Sequence, residues 1–185
     1  MIPVSSWSRP QAMSLAGQRL QPDRYSVVPR TLSFLLRGEQ ILLLELPSDR
    51  GEWAGKLNGV GGHIERGEEP RASAVREVAE ETGLTPGRSF RLCGVVLIDT
   101  QQIPGIALYV FVGEAPEGQV RPSAEGTPVW VALNALDEHE LVEDVPTILP
   151  LALSAYRGRA PFTAAYSYEQ DGSLKIDFGD TSQEA

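Results

Sequence analysis

Short apolar runs separated by polar turns extend along most of the chain, which is the pattern of β-strands. We expect strands at residues 24–36, 41–46, 90–98, 106–112, 128–133, 162–168 and 174–178. The first of them is expected to be interrupted near Pro29, because proline cannot donate a hydrogen bond to a sheet. The turns between neighbouring runs predict antiparallel hairpins from the first two strands, the next two and the last two.

Two segments depart from this pattern and predict helices. Pro70 suits a first helical turn and Gly83 suits the residue after a helix end, so we expect a helix at about residues 69–82. Its residues 72, 75, 78, 79 and 82 share an apolar face. A helical turn at 136–142 follows, and then a second helix that begins within residues 143–146, with Pro146 in its first turn, and runs to about residue 157. This order indicates the α/β class, with a mixed sheet flanked by helices.

The predicted first helix carries three glutamates, Glu77, Glu80 and Glu81, on the side opposite its apolar face. Carboxylates three and four residues apart on a helix repel one another. A divalent cation would offset this repulsion, and carboxylate oxygens are the ligands that Mg²⁺ prefers. The alternative interpretation is a solvated acidic face with Arg76 as a local partner.

Length and charge narrow the classes of protein and partner. The chain has 185 residues, is 42% hydrophobic and carries a formal net charge of −9. This length predicts one domain at residues 24–180, with an N-terminal arm at 1–23 and a tail at 181–185. The acidic balance and the lack of a basic stripe argue against a nucleic-acid polymer as partner.

The numbers of cysteines and histidines, and the hydropathy of the chain, exclude further classes of protein and of site. Cys93 is the single cysteine, which rules out a disulfide within the chain and predicts a buried thiol. His63 and His139 are the two histidines, too few for a typical zinc site of Cys and His ligands. No run reaches the ~20 apolar residues of a membrane span and no signal peptide is visible, so we expect a cytoplasmic protein without membrane association. The oligomeric state stays open, with a homodimer as one alternative.

A longer pattern includes the three glutamates. Gly62 is followed after five residues by Glu68, and after seven more by the run REVAEETGL at residues 76–84. This arrangement resembles the Nudix box, G-x5-E-x7-R-E-U-x-E-E-x-G-U with U apolar, at every specified position. The resemblance implies a Nudix-type α/β/α sandwich with a mixed sheet between helices. It also implies a hydrolase that uses Mg²⁺ or Mn²⁺ to cleave nucleoside diphosphate derivatives.

The resemblance further implies a set of metal ligands. Glu77, Glu80 and Glu81 would bind the metal or deprotonate the attacking water, and the family does not fix which of them is the base. The carbonyl of Gly61 would join the metal. Glu125, from a downstream loop, would complete the site, the alternative being a solvated loop charge.

Three other residues of the box are expected to support it. Glu68 and Arg76 would pair and hold the loop against the helix. Gly62 opens the box after the glycine-rich approach KLNGVGG at residues 56–62.

That approach resembles the corresponding segment of MutT-like 8-oxo-dGTP diphosphatases. Asn58 would then hydrogen-bond a purine base, the alternative being a turn residue before Gly59. Asp144 would either read the base or cap the second helix. Trp53 is either a stacking partner for a base or a core residue. The expected substrate is a nucleoside triphosphate, first of all an oxidised purine nucleotide, cleaved to monophosphate and pyrophosphate.

Other substrates remain as alternatives within the enzyme class: ADP-ribose, dinucleoside polyphosphates and pyrimidine nucleotides. An alternative of another class is a non-catalytic Nudix domain that senses a nucleotide. Such domains tend to lose box glutamates, whereas this chain retains all of them.

Overall fold

The computed structural model describes residues 24–101, 104–169 and 173–179, and within them eight strands form one sheet. Short 3₁₀ helices at Gly51–Trp53 and Leu133–Glu138 lie in the connections. The expected arm at 1–23, the tail at 181–185 and the tip of the last hairpin at 170–172 lie outside the described residues. The elements in chain order are β1 (Val27–Arg37), β2 (Gln40–Glu45), β3 (Leu57–Asn58), α1 (Pro70–Thr82), β4 (Arg91–Ile98), β5 (Gly105–Glu114), β6 (Thr127–Ala132), α2 (Val145–Tyr156), β7 (Phe162–Tyr168) and β8 (Leu174–Phe178).

The strand pairing confirms the expected hairpins. β1 pairs antiparallel with β2, β4 with β5, and β7 with β8. Two parallel pairings, β1 with β5 and β4 with β7, join these hairpins into one mixed sheet. The strand order is β3-β2-β1-β5-β4-β7-β8, with β6 also paired to β2.

Alternate residues of the strands face two separate cores, one under each helix. Leu32, Phe34 and Leu36 of β1 belong to the core that α2 covers. Leu35, between them, belongs to the smaller core under α1, with Ala74 and Val78 of the helix. The α/β sandwich with a mixed sheet between helices is therefore confirmed.

Pro29 does not interrupt β1, so that expectation is wrong. The strand is continuous, and its residues 27–36 all pair in parallel register with β5. The carbonyl of Pro29 accepts a hydrogen bond of 3.1 Å from the Ile64 N–H, on the edge away from β5. The N and O atoms of one strand residue point the same way, so the missing proline N–H falls on that same edge and leaves the β1–β5 ladder intact.

The remaining expectations differ little from the structure. The helical turn lies at Leu133–Glu138, a few residues earlier than expected, and α2 begins and ends close to its predicted bounds. Cys93 is buried, which raises the pKa of its thiol. None of the helices in the described ranges has the length and apolar character needed to span a membrane.

Candidate active site

The start and end of α1 follow from side chains at its two termini. Glu69 occupies the N-cap position, and its carboxylate accepts a 3.0 Å hydrogen bond from the Ala72 N–H. Pro70 lies in the first turn, where a missing N–H costs nothing. Gly83 ends the helix at φ +79°, a left-handed conformation that glycine adopts without strain.

The buried face of α1 is rotated from the face that its apolar pattern predicts. Ala72, expected on the apolar face, is exposed, whereas Glu81, expected on the opposite side, is 3% exposed. Polar groups on this face find local partners: Ser73 Oγ donates to the His63 carbonyl at 3.2 Å, and Thr82 Oγ1 donates to the Val78 carbonyl at 2.6 Å. The helix therefore directs a carboxylate into the protein rather than into solvent.

The glycine-rich segment makes room for that carboxylate. The Val60 carbonyl accepts from the Ser33 N–H at 2.7 Å, and the Gly62 carbonyl accepts from the Thr31 N–H at 2.9 Å. Gly61, between them, directs its N–H towards Glu81, where it favours the ionised carboxylate. A Cβ on Gly61 would lie 2.0 Å from the Thr31 carbonyl oxygen, so only glycine fits beside β1.

Gly62 allows the second close approach. A Cβ on Gly62 would lie 2.6 Å from the carboxylate of Glu77. The backbone at this position is therefore packed directly against a box glutamate, which explains physically why glycine opens the motif.

Glu81 is the most perturbed carboxyl of the box. Its Oε2 atom is buried and has no hydrogen-bond partner in the described part of the chain. Burial, reinforced by the negative charge of Glu77, raises the pKa of Glu81 to about 8. A buried oxygen left without a partner is expensive, and such atoms often mark a position where a ligand binds.

Arg76 lies at the centre of a network of ion pairs. Its guanidinium bonds both carboxylate oxygens of Glu68, at 2.9 and 3.0 Å, so the pairing expected from the sequence is present. Its Nη1 donates to Glu77 at 2.8 Å and to Glu80 at 3.1 Å. Its Nη2 also donates to the His63 carbonyl at 3.0 Å, which ties the box loop to the helix. The hydrogen bonds from Arg76 lower the pKa of Glu68 to about 2.

The box carboxylates suit a cation that prefers oxygen ligands. Glu77 and Glu80 share Arg76, and Glu77 interacts electrostatically with Glu81. Within the described ranges, no three Asp, Glu, His or Cys side chains already surround a common point. The unpartnered Oε2 of Glu81, beside further carboxylates, nevertheless offers the donor chemistry that Mg²⁺ requires.

A cavity of about 770 Å³ opens beside the box, and Gly61 lines it. Asn58 also lines this cavity, while its Oδ1 accepts from the Gly59 N–H at 2.8 Å. Its side chain therefore takes part in the local turn and leaves the NH₂ group available to a ligand. The volume lies within the range of about 300–1,000 Å³ that is usual for small-molecule sites.

Asp144 lies at the cavity and at the N-cap position of α2, but its side chain makes no capping hydrogen bond. Burial raises the pKa of the Asp144 carboxyl. The hydrogen bond from its own backbone N–H lowers this pKa, but it does not outweigh the effect of burial. Trp53 is 44% exposed and donates from Nε1 to Glu143 at 3.0 Å, so it is not a core residue.

Glu125 has a partner that the sequence does not suggest. Its carboxylate forms an ion pair with Arg50, and the two side chains are 54% and 41% exposed. Arg50 in turn acts electrostatically on Glu81. Glu125 is thus connected to the box through an arginine, and its service as a metal ligand stays a prediction.

Arg30, Arg50 and Tyr166 line the cavity but were not assigned to the site from the sequence. Arg30 interrupts the first apolar run, and a charge inside a predicted strand is a signal that could have identified it. Tyr166 is 3% exposed, and its hydroxyl has no partner among the described residues. Burial, followed by the nearby Asp144, raises the pKa of Tyr166. Tyr166 lies at the cavity because β7 pairs with β4, which is distant in the chain, so no local sequence pattern identifies it.

Comparisons with known proteins agree with this fold and motif. A model of the NUDIX domain matches residues 28–152. The chain is 29% identical over 108 residues to the oxidized purine nucleoside triphosphate hydrolase of Danio rerio, covering 58% of this chain and 69% of that protein. It is also 29% identical over 124 residues to the protein of that name from Mus musculus, covering 66% and 78%.

Among solved structures, the MutT protein from Bacillus halodurans matches with a TM-score of 0.67 at 23% identity. This match covers 82% of the present chain and 97% of the other. Because the NUDIX model covers more than half of the chain, the chain belongs to the Nudix family.

Proposed function

We propose that this protein hydrolyses a nucleoside triphosphate to the monophosphate and pyrophosphate with Mg²⁺, with Mn²⁺ as an alternative. The observation that carries the proposal is the buried, unpartnered carboxylate oxygen of Glu81 beside Gly61, which lines a nucleotide-sized cavity. An oxidised purine nucleotide is the first substrate to test, because the relatives from Danio rerio and Mus musculus carry that activity in their names.

Glu77, Glu80 and Glu81 would hold the metal, together with the carbonyl of Gly61 and, from its loop, Glu125. Bound there, Mg²⁺ would neutralise negative charge on the phosphate oxygens of the substrate. Arg76 already fixes the carboxylates of Glu77 and Glu80 in position. The protein's contribution is thus a preorganised group of acidic side chains at one end of the cavity.

The reaction needs a water molecule and a base. The water oxygen bonds to the α- or β-phosphorus, and the bond from that phosphorus to the bridging oxygen breaks. The electron pair stays on the bridging oxygen of the leaving group, and a proton of the water passes to a box carboxylate. Glu77, Glu80 and Glu81 are the candidates for this base.

Base recognition is assigned to Asn58 and Asp144. Both residues line the cavity. The local turn uses Oδ1 of Asn58 but not its NH₂ group, and the Asp144 carboxylate makes no capping hydrogen bond to α2. An amide and a carboxyl together present donors and acceptors to the edge of a purine.

A nucleotide panel tests the proposal. The purified protein is incubated with oxidised and unmodified purine triphosphates, pyrimidine triphosphates, ADP-ribose and dinucleoside polyphosphates, with Mg²⁺, Mn²⁺ or EDTA. We expect the highest kcat/KM for an oxidised purine triphosphate, release of pyrophosphate, and no turnover in EDTA. Hydrolysis of none of these compounds, combined with nucleotide binding, would overturn the catalytic proposal in favour of a sensing domain.

Labelled water identifies the phosphorus that is attacked. In water enriched in ¹⁸O, attack at the α-phosphorus places the label in the monophosphate, and attack at the β-phosphorus places it in pyrophosphate. Mass spectrometry of the two products distinguishes these outcomes.

Asp144→Asn tests base recognition separately from chemistry. We expect the ratio of kcat/KM for purine over pyrimidine triphosphates to fall by about 10-fold, because a buried base contact is lost. Asp137→Asn, at an exposed position outside the cavity, is the matched control. An unchanged ratio in Asp144→Asn would remove this residue from base recognition.

A further inference from the structure

Arg30 is a half-buried cation that forms no hydrogen bond or ion pair with the box carboxylates, although Glu77 and Glu81 attract it electrostatically. It extends from β1 into the wall of the cavity. Within the described residues, its guanidinium has no hydrogen-bond or ion-pair partner, although its backbone bridges to His63. Partial burial of an unpaired guanidinium is unfavourable, so a partner is expected from outside the chain.

A second arginine faces the same cavity from a different element. Arg50 lies before the 3₁₀ helix at Gly51–Trp53, lines the cavity, and repels Arg30 electrostatically. Two guanidinium groups that approach each other without an intervening anion destabilise the protein. An anion bound between them would convert this repulsion into two attractive contacts.

The position of this arginine pair, Arg30 and Arg50, indicates which part of a nucleotide it meets. The acidic groups that act on Arg30 are Glu77 and Glu81 of the box. In addition to burial, the negative charge of Glu143 raises the pKa of Asp144, and the charge of Asp144 raises the pKa of Tyr166. The arginine pair is therefore associated with the box, whereas Asp144 belongs to a different group of cavity residues.

The ion pair between Arg50 and Glu125 is suited to exchange. Both side chains are more than a third exposed, and ion pairs of that kind contribute little to stability. A phosphate group carries more charge than a carboxylate and matches the planar guanidinium fork. Arg50 can thus leave Glu125 for a phosphate at small cost.

We propose that Arg30 and Arg50 bind the phosphate chain of the substrate, Arg30 as a fixed contact and Arg50 as a contact exchanged from Glu125. This proposal rests on the proposed function, because it assigns the triphosphate end of that substrate. The two cations neutralise the phosphate oxygens on which negative charge is carried during hydrolysis. Neither arginine takes up or releases a proton in the reaction.

Calorimetric binding of inorganic tripolyphosphate in EDTA tests the pair without catalysis. We expect Arg30→Gln to weaken this binding by about 10-fold to 100-fold, the usual loss for one charge-assisted hydrogen bond. Arg30→Lys should recover part of it, since lysine restores the charge but not the fork. Arg88→Gln, an exposed arginine outside the cavity, is the matched control and should bind as wild type does.

Binding of an unphosphorylated nucleoside separates a phosphate contact from a structural effect. Arg30→Gln should bind the nucleoside as wild type does, and its thermal midpoint should be no lower than that of wild type, because the change removes a half-buried charge that Arg50 repels. Equal tripolyphosphate affinity in wild type and Arg30→Gln, or an equal loss for nucleoside and tripolyphosphate, would overturn the proposal. Absence of tripolyphosphate binding by wild type would also overturn it.

Glu125→Gln tests the exchange. Without its carboxylate competitor, Arg50 should bind tripolyphosphate more tightly in EDTA, and unchanged or weaker binding would overturn this part. Failure of the proposed function is distinguishable, because wild type would then bind tripolyphosphate through Arg30 yet hydrolyse no nucleotide of the panel.

Discussion

The two helices pack on opposite faces of the same sheet but bring different side chains to it. The buried residues of α2 are all apolar: Val145, Ile148, Leu149, Ala152, Leu153 and Ala155. The buried residues of α1 are Ser73, Ala74, Val78, Glu81 and Thr82, of which three are polar. One helix therefore contributes hydrophobic burial alone, and the other buries polar groups in place of some apolar surface.

The polar residues of α1 show which of them serve structure. Ser73 and Thr82 each find a carbonyl acceptor nearby. Glu81 leaves one oxygen without a partner among the described residues and has a raised pKa. This difference between a satisfied and an unsatisfied buried polar group is our reason for proposing a functional role for Glu81 and a structural one for Ser73 and Thr82.

The largest expected effect is on activity, in Glu81→Gln. We expect turnover to fall by about 10²–10⁴-fold, the usual loss when a metal ligand or base is removed. Stability should stay the same or rise, because glutamine replaces a carboxyl whose ionised form is unfavourable at this buried position beside Glu77. Initial rates at saturating substrate and urea unfolding measure the two quantities. Glu65→Gln, at an exposed acid of the loop before α1, is the control. A Glu81→Gln protein that is active but unstable would contradict our comparison of the two helices.

Ile148→Ala should produce the opposite result. This side chain is 1% exposed under α2, and its truncation should cost about 2–5 kcal/mol of unfolding free energy. The rate per folded molecule should not change, because no residue of α2 lines the cavity and Asp144 lies immediately before the helix. Urea unfolding measures the loss, with Leu151→Ala, at a less buried position, as a control that should lose less. A fall in the rate per folded molecule would show that α2 also positions the site.

A smaller effect is expected for Glu68, on the stability of the folded protein at acid pH. Its pKa in the folded protein is about 2, below the ordinary value of 4.5, so the unfolded chain binds the proton first as pH falls. The stabilisation from its pair with Arg76 is therefore complete above about pH 4.5 and is lost as the pH falls towards 2. Unfolding of wild type and Glu68→Gln at pH 7, 5, 4 and 3 measures it. The difference between them should shrink only below about pH 4.5, and an equal difference at pH 3 and 7 would contradict the assignment.

The smallest effect on stability is expected for Tyr166→Phe, in the core that α2 covers. The hydroxyl is buried without a partner among the described residues, so its removal should leave stability unchanged or raise it by up to about 1 kcal/mol. Scanning calorimetry measures the change. A clear loss of stability would mean that the hydroxyl is hydrogen-bonded in solution, and the α2 side would then share a feature with the α1 side.

Local signals predicted much of this structure. Pro70 and Gly83 gave the bounds of α1 because each acts through its own backbone conformation. Turn residues between apolar runs predicted the hairpins, since those strands are neighbours in the chain. The spacing of the box predicted the family because its residues all lie on one loop and one helix.

Contacts between distant segments were not predictable in the same way. The burial of Glu81 depends on the space beside Gly61, which an apolar periodicity does not register. The pairing of Arg50 with Glu125 joins two loops far apart in the chain, and no local pattern links them. The continuity of β1 through Pro29 depends on which edge of the strand its missing N–H faces.

The parallel pairing of β1 with β5 also has a consequence for biosynthesis. The whole acidic motif lies in the crossover between these two strands, so the centre of the sheet cannot close until β5 has left the ribosome. Closing so long a segment is entropically costly and slows folding. A nascent chain therefore carries the complete motif before it has the sheet against which the glutamates are oriented.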